Sequence, residues 1–445
     1  MLIALALCSA TNAQSKSYSQ KEIKEDLEYL KSKLVELHPN LEIYNSQKDL
    51  EQFVDKTKLK DSYTDLEAYS LISRMNAIIQ DGHTLMTPSK EFIEKNNSSG
   101  LYIPMRPYWD GEKLFVYKNY DLTNELVEGD EIRSINGLES NDLIFGMIDK
   151  MMRDGKNYNY PIWVLNNYFF EYYSYFFGCQ EEYDIVLVRD GEQKRVKLAG
   201  LKRAKIFAAI NQKDQHEKGI SLDLDAEKKI AVLKISDWHS QILKKRYKQK
   251  FGPEIEKAME EINQNGIQHL IIDLRDNQGG DLKNSRILLS YLLEQPFNLV
   301  QGYQKKKMGT LVESNGPEMG LHKNRKKSFV GNIFVLINGG SFSNSGIFCS
   351  ALKKYDKATF IGEESGGSEF VISGNPRSLT LPNSGIKIDL PSLQYIIKDY
   401  DGENLHGIEA DIPVKPSIED LIAGEDAAMM RTLKLIDEYS KMMKR

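Results

Sequence analysis

The feature that most constrains the fold is an alternation that begins near Ile220. Apolar stretches at Lys229–Ile235, His269–Leu274, Ile333–Ile337 and Ala358–Ile361 are separated by helical stretches at Lys245–Asn263, Asn284–Leu293 and Ser345–Tyr355. Strands covered on both faces read as near-continuous apolar runs, and strand–helix–strand repeats of this length build a largely parallel sheet. The predicted class is α/β. Chemistry in such sheets collects beyond the carboxyl ends of the strands. Two loops fall there: Asp273–Gly280 (DLRDNQGG) and Asn338–Gly346 (NGGSFSNSG). Paired glycines let the backbone approach a ligand and aim N–H groups at an oxyanion. A serine at the start of a helix meets the positive end of the dipole. Ser343 and Ser345 suit that description, and both equally suit a plain helix N-cap. A Walker-type phosphate loop is excluded, because no Gly-Lys-Ser/Thr ending follows the glycines.

The 445 residues allow two to four domains. Residues 18–98 read as helical. Ile23, Leu27, Leu30, Leu34 and Leu37 recur at helical spacing over residues 19–38, Ser19 suits the cap, and further helices are predicted at Gln47–Thr57 and Leu66–Ile79. Residues 99–200 read as β-rich, with strands at Lys113–Tyr117, Glu131–Ile135 and Tyr183–Val188. Inside them, residues 158–178 carry a dense aromatic run, read as a helical insert serving the core or a domain contact. Residues 220–445 form the α/β unit. Met1–Ala13 (MLIALALCSATNA) reads as a signal peptide, too short to span a bilayer, and implies bacterial export to the periplasm or beyond.

Composition removes several function classes. The 59 basic and 64 acidic residues leave a net charge of −5, unlike a polybasic nucleic-acid binder. Cys8, Cys179 and Cys349 are too few for a disulfide framework or a cysteine-rich zinc site. A serine nucleophile needs a base, and only seven histidines are available. His38, His239 and His269 read as structural, His216 and His322 as exposed, and His406 lies in a late loop. His83 follows an Asp-Gly turn in Gln80-Asp81-Gly82-His83-Thr84, where the helical region ends.

Taken together these segments resemble the carboxyl-terminal processing (tail-specific) serine peptidases. Glu128–Gly137 (EGDEIRSING) resembles the PDZ signature of that family. Asp273–Gly280 resembles its DLRxNxGG motif, Ile337–Phe348 (INGGSFSNSGIF) its VNxGSASASEIF motif, and Ala358–Glu363 (ATFIGE) the segment that follows. Glu36–Asn40 with Asp81–Thr84 resembles the N-terminal region of exported Bacteroidetes-type members. The resemblance implies a crotonase-like (ClpP-like) β-α core, an N-terminal helical domain and a PDZ-like domain. It places the nucleophile on Ser343. The lysine of the Ser-Lys branch falls on Ser368, so the tricorn-protease-like branch is the match. Its histidine falls on His83. Its adjacent serine falls on Gly82, with Thr84 as a substitute. Its late glutamate falls on Glu403, or on Asp401 or Glu409. The oxyanion donors implied are Gly279 or Gly280 with Asn344. No metal or cofactor is implied. Polypeptides, with C-termini held by a PDZ-like loop near Gly100–Pro107, are the implied substrates. No nucleic-acid partner and no membrane span in the mature chain are implied. A non-catalytic protein binding peptides or apolar ligands on the same fold is the alternative.

Overall fold

A computed structural model describes residues 16–443, apart from 40, 122, 124, 211–217 and 399–405. The expected leader with Cys8, His216, Asp401 and Glu403 lie outside the described residues.

The α/β unit is built on a six-stranded sheet ordered Ile220–Asp225, Ile230–Ile235, His269–Asp273, Asn332–Ile337, Thr359–Gly362 and Ile412–Pro413. Its first pair is antiparallel and the rest are parallel. Side chains of the central strand alternate between two layers. Leu270 and Ile272 pack with Ile255, Leu288 and Phe348 from the helices Phe251–Gln264, Leu282–Leu292 and Asn344–Lys354. Ile271 points the other way, to Leu435 and Ile436 of the last helix, Ala427–Met443. Both faces are thus dry, which is why the strands read as unbroken apolar runs. His269 pairs with Asn332 and Asp273 with Leu336, so the two glycine-rich loops leave the sheet at the same level.

The predicted helix Lys245–Asn263 is two helices, Ser240–Arg246 and Phe251–Gln264. Lys248 adopts a φ of 58° between them. Gln249 then turns inward, accepting from the amides of Gly219 and Ile220 and donating to the Ile220 carbonyl. The N-terminal region is not wholly helical either. Besides the helices Gln20–Leu37, Gln47–Lys56, Asp65–Ile72 and Asn76–Ile79, the strands Ser17–Ser19 and Ser62–Thr64 pair.

A second sheet was not foreseen. It is antiparallel, ordered Thr310–Ser314, Gly302–Lys307, Lys387–Ile396 and Val371–Thr380. The N-terminal segment Leu85–Thr87 adds to it, pairing with Lys387–Asp389. That junction carries the Asp81–Thr84 turn onto the α/β unit. The β-rich unit has its main sheet ordered Glu192–Ala199, Glu182–Arg189, Glu131–Ile135, Leu114–Asn119 and Met105–Trp109. The aromatic run forms one kinked helix, Asn159–Phe177, whose Trp163, Phe169, Phe170, Tyr173 and Phe176 are buried.

Candidate active site

Ser343 precedes the helix Asn344–Lys354 with φ 55° and ψ −119°, and its side chain makes no capping bond. A non-glycine residue in such a region costs of order 1–3 kcal/mol and persists only where the surroundings impose it. The surroundings here are the two glycine-rich loops, which are stitched together. Phe342 N–H donates to the Asn277 carbonyl at 3.1 Å and Ser341 Oγ to the Leu274 carbonyl at 2.8 Å. Asn338 Oδ1 accepts from the Asp276 amide at 3.0 Å. Ser345 is fully absorbed, accepting from Trp238 Nε1 at 2.9 Å and donating to the Asn277 carbonyl at 2.7 Å. Ser343 is free of that network and turns toward the cleft.

Its partner is His83, whose Nε2 lies 2.9 Å from Ser343 Oγ. The imidazole stacks on Phe342 at 4.7 Å, Phe342 on Tyr160 at 4.1 Å, and Tyr160 on Trp163 at 5.9 Å. This column of rings ties the histidine to the aromatic helix. Burial pushes His83 below the ordinary histidine range, with Asp81 opposing. The ring is therefore neutral near pH 7 and able to accept a proton. Its Nδ1 is buried with no hydrogen-bond partner among the described residues. Thr84, the candidate relay hydroxyl, is occupied elsewhere. Its Oγ1 lies 2.8 Å from His38 Nε2 and donates to Asp81 Oδ1 at 3.0 Å. Glu409 is exposed and does not line the cleft.

The two glycines divide their labour. The Gly279 N–H donates to Asn277 Oδ1 at 3.0 Å. A Cβ on Gly279 would sit 2.7 Å from Ser343 Cβ and 2.8 Å from the Asn344 nitrogen, and its φ is 101°. Gly279 is thus required for close approach. Among the described residues no hydrogen bond takes up the amides of Gly280 or Asn344. The Asn344 side chain is locked, Nδ2 to the Asp281 carbonyl and Oδ1 to Ser285 Oγ. Ser368, at the position of the alternative lysine, is buried and offers no amine. The cleft beside Ser343 has a volume of about 340 Å³, with Leu85, Met152, Tyr160, Leu282, Ile347 and Tyr395 among its apolar walls. His239, read from sequence as structural, also lines it. Its Nδ1 lies 2.9 Å from Asp237 Oδ1, which raises its proton affinity. No local motif marks it, because its loop meets Gly280 only where the ends of two adjacent strands come together.

Among the described residues no helix is long and apolar enough to cross a membrane. Residues 229–414 match the model of peptidase family S41, a span that includes Ser343 but not His83. A probable CtpA-like serine protease of Staphylococcus epidermidis is 26% identical over 187 residues, 42% of this chain and 33% of that protein. One from Staphylococcus aureus is 23% identical over 266 residues, 57% of this chain and 46% of that protein. The chain thus spans less than half the length of these curated relatives. The crystal structure of mature CPAF shares the fold, with a TM-score of 0.64 at 16% identity, over 95% of this chain and 97% of that chain. Residues 229–414 thus carry a likeness to peptidase family S41.

Proposed function

We propose that the chain is a serine endopeptidase that cleaves exported polypeptides through an acyl-enzyme. The observation that carries this reading is the 2.9 Å approach of His83 Nε2 to Ser343 Oγ, with the serine held off the ordinary backbone map. His83 takes the Ser343 proton as Oγ attacks the scissile carbonyl, then returns it to the leaving amine. Water repeats the sequence to release the acyl group. The developing oxyanion is held by the amides of Gly280 and Asn344. Loss of one such donor commonly costs about 10²–10³ in kcat. Gly279 serves by approach and not by donation. A carboxylate at His83 Nδ1 would favour the imidazolium that forms, and Glu403 keeps that role in the proposal.

Substrate recruitment by the β-rich unit takes a narrower form. A PDZ-like edge binds a peptide as an added strand. The edge strand Met105–Trp109 is closed at Trp109, whose amide donates to Asn166 Oδ1 at 2.8 Å and whose carbonyl accepts from Asn166 Nδ2 at 3.3 Å. A peptide therefore adds along this edge only after the aromatic helix yields.

The test is covalent labelling with a fluorophosphonate. Wild type is expected to label at one serine, with Ser343→Ala and His83→Ala both silent and both folded. Equal labelling of Ser343→Ala would sink the nucleophile, and full labelling of His83→Ala the base. A folded wild type that never labels would favour the binding-protein alternative.

A further inference from the structure

Asp154 lies between the helices Ser140–Ile148 and Asn159–Phe177 and is buried. Its two oxygens hold two backbone amides from distant parts of the chain. Oδ1 accepts from Gly82 at 2.7 Å and Oδ2 from Ser368 at 3.0 Å. Gly82 directly precedes His83. A Cβ on Gly82 would lie 2.8 Å from the Phe342 ring and 3.0 Å from Asp154 Oδ1, so only glycine admits both neighbours. Ser368 Oγ accepts in turn from the amides of Phe370 and Val371, at 3.2 and 3.4 Å. That begins the strand Val371–Thr380, whose Gly374, Asn375 and Pro376 line the cleft. One carboxylate therefore joins the histidine turn to the cleft wall.

The placement is electrostatically unfavourable. Asp81, also buried, lies on the other side of Gly82 and accepts from the His83 amide at 2.9 Å. Two carboxylates thus flank one glycine. Asp81 has His38 at 3.7 Å and the Thr84 hydroxyl at 3.0 Å, and His83 also bears on it. Asp154 faces Asp81 and the Tyr160 phenol, with no ion pair to a cation among the described residues. Burying an unpaired carboxylate is costly, so its retention calls for a role that neutral side chains do not fill.

We propose that Asp154 is a positioning residue: as a carboxylate it holds the Asp81-Gly82 peptide, directly ahead of His83, and the Ser368 amide in the register that sets His83 Nε2 against Ser343 Oγ. The inference rests on the reading of Ser343 and His83 given above. Protonation turns one carboxylate oxygen into a hydroxyl, a donor with less capacity to accept, and one amide is released. Burial, and then the Asp81 charge, push Asp154 up to about 7. Burial moves His83 the opposite way, below its ordinary value. Reactivity that needs charged Asp154 is present above about 7 and lost as the pH falls through it, before His83 itself is protonated.

The experiment is the rate of fluorophosphonate labelling of the full chain from pH 5 to 9. Wild type is expected to lose labelling with a midpoint near 7. Asp154→Asn, of equal size but with an NH2 donor in place of one accepting oxygen, is expected to label at least ten-fold more slowly at pH 8.5. Its remaining reactivity should fall only below about 6.5, the ordinary histidine range. Asp154→Ser, smaller and with one acceptor, should behave likewise and serves if the asparagine variant does not fold. A wild-type midpoint no higher than that of the folded variants, or a folded variant with the wild-type rate, overturns the proposal. A wild type that labels at no pH sinks the nucleophile assignment instead, so the two failures are distinguishable.

Discussion

Two serines two residues apart illustrate how much a single position carries. Both sit at the start of one helix, yet Ser345 is satisfied twice inside the loop network and Ser343 faces a histidine. Ser345→Ala leaves the buried Trp238 indole N–H without a partner and takes one of two donors from the Asn277 carbonyl, at about 1–3 kcal/mol of stability. It should lower the melting temperature while sparing fluorophosphonate labelling, the converse of Ser343→Ala. Gly279→Ala is expected to abolish labelling and to lower the melting temperature, because φ 101° and the backbone of Phe342 and Asn344 leave no room for a side chain. Its new methyl would press on Ser343 Cβ and the Asn344 amide, where the oxyanion is to be held. A labelling rate within three-fold of wild type would mean the loop relaxes and the close approach is dispensable.

At the level of elements, legibility followed the periodicity of side chains. The strands His269–Asp273 and Asn332–Ile337 are buried on both faces, and their apolar runs announced a parallel sheet and both loops at its edge. The antiparallel sheet left no such trace. Gly302–Lys307 reads GYQKKK, and Val371–Thr380 holds Asn375 and Pro376 with an exposed second half. Its pairing with Leu85–Thr87 joins segments some three hundred residues apart, which no local pattern encodes. The consequence for the site was specific. Sequence alone singled out Ser343 and His83 by motif, but not the strand that brings them together, nor the Asn277 bond that takes the Gly279 amide out of contention. The aromatic helix was legible as core and illegible as a cover. Its Asn166 closes the edge of Met105–Trp109, so Asn166→Ala should free that edge. Fluorescence anisotropy of a labelled apolar peptide with a free C-terminus, on the Ser343→Ala background, is expected to show tighter binding with Asn166→Ala. Unchanged or weaker binding would count against strand addition there.

The whole molecule is locked at the carboxyl end of the central strand by Arg275. It makes paired bonds to Asp273, in the central strand, and to Asp426, just ahead of the last helix. Removing one partner of a largely buried ion pair commonly costs about 3–5 kcal/mol. Arg275→Ala is therefore expected to lower the denaturation midpoint strongly and to loosen Ala427–Met443, read as faster amide exchange in that helix. A stability change under 1 kcal/mol would show that the apolar face around Ile436 suffices to hold it. Ser343 and His83 are separated by 260 residues of chain, and the histidine lies just ahead of a strand, Leu85–Thr87, that pairs with Lys387–Asp389. A ribosome delivering this chain from its N-terminus therefore cannot bring His83 against Ser343 through this pairing until Lys387–Asp389 has emerged. The meeting of the two side chains is timed by the folding of that sheet and not by the appearance of either residue.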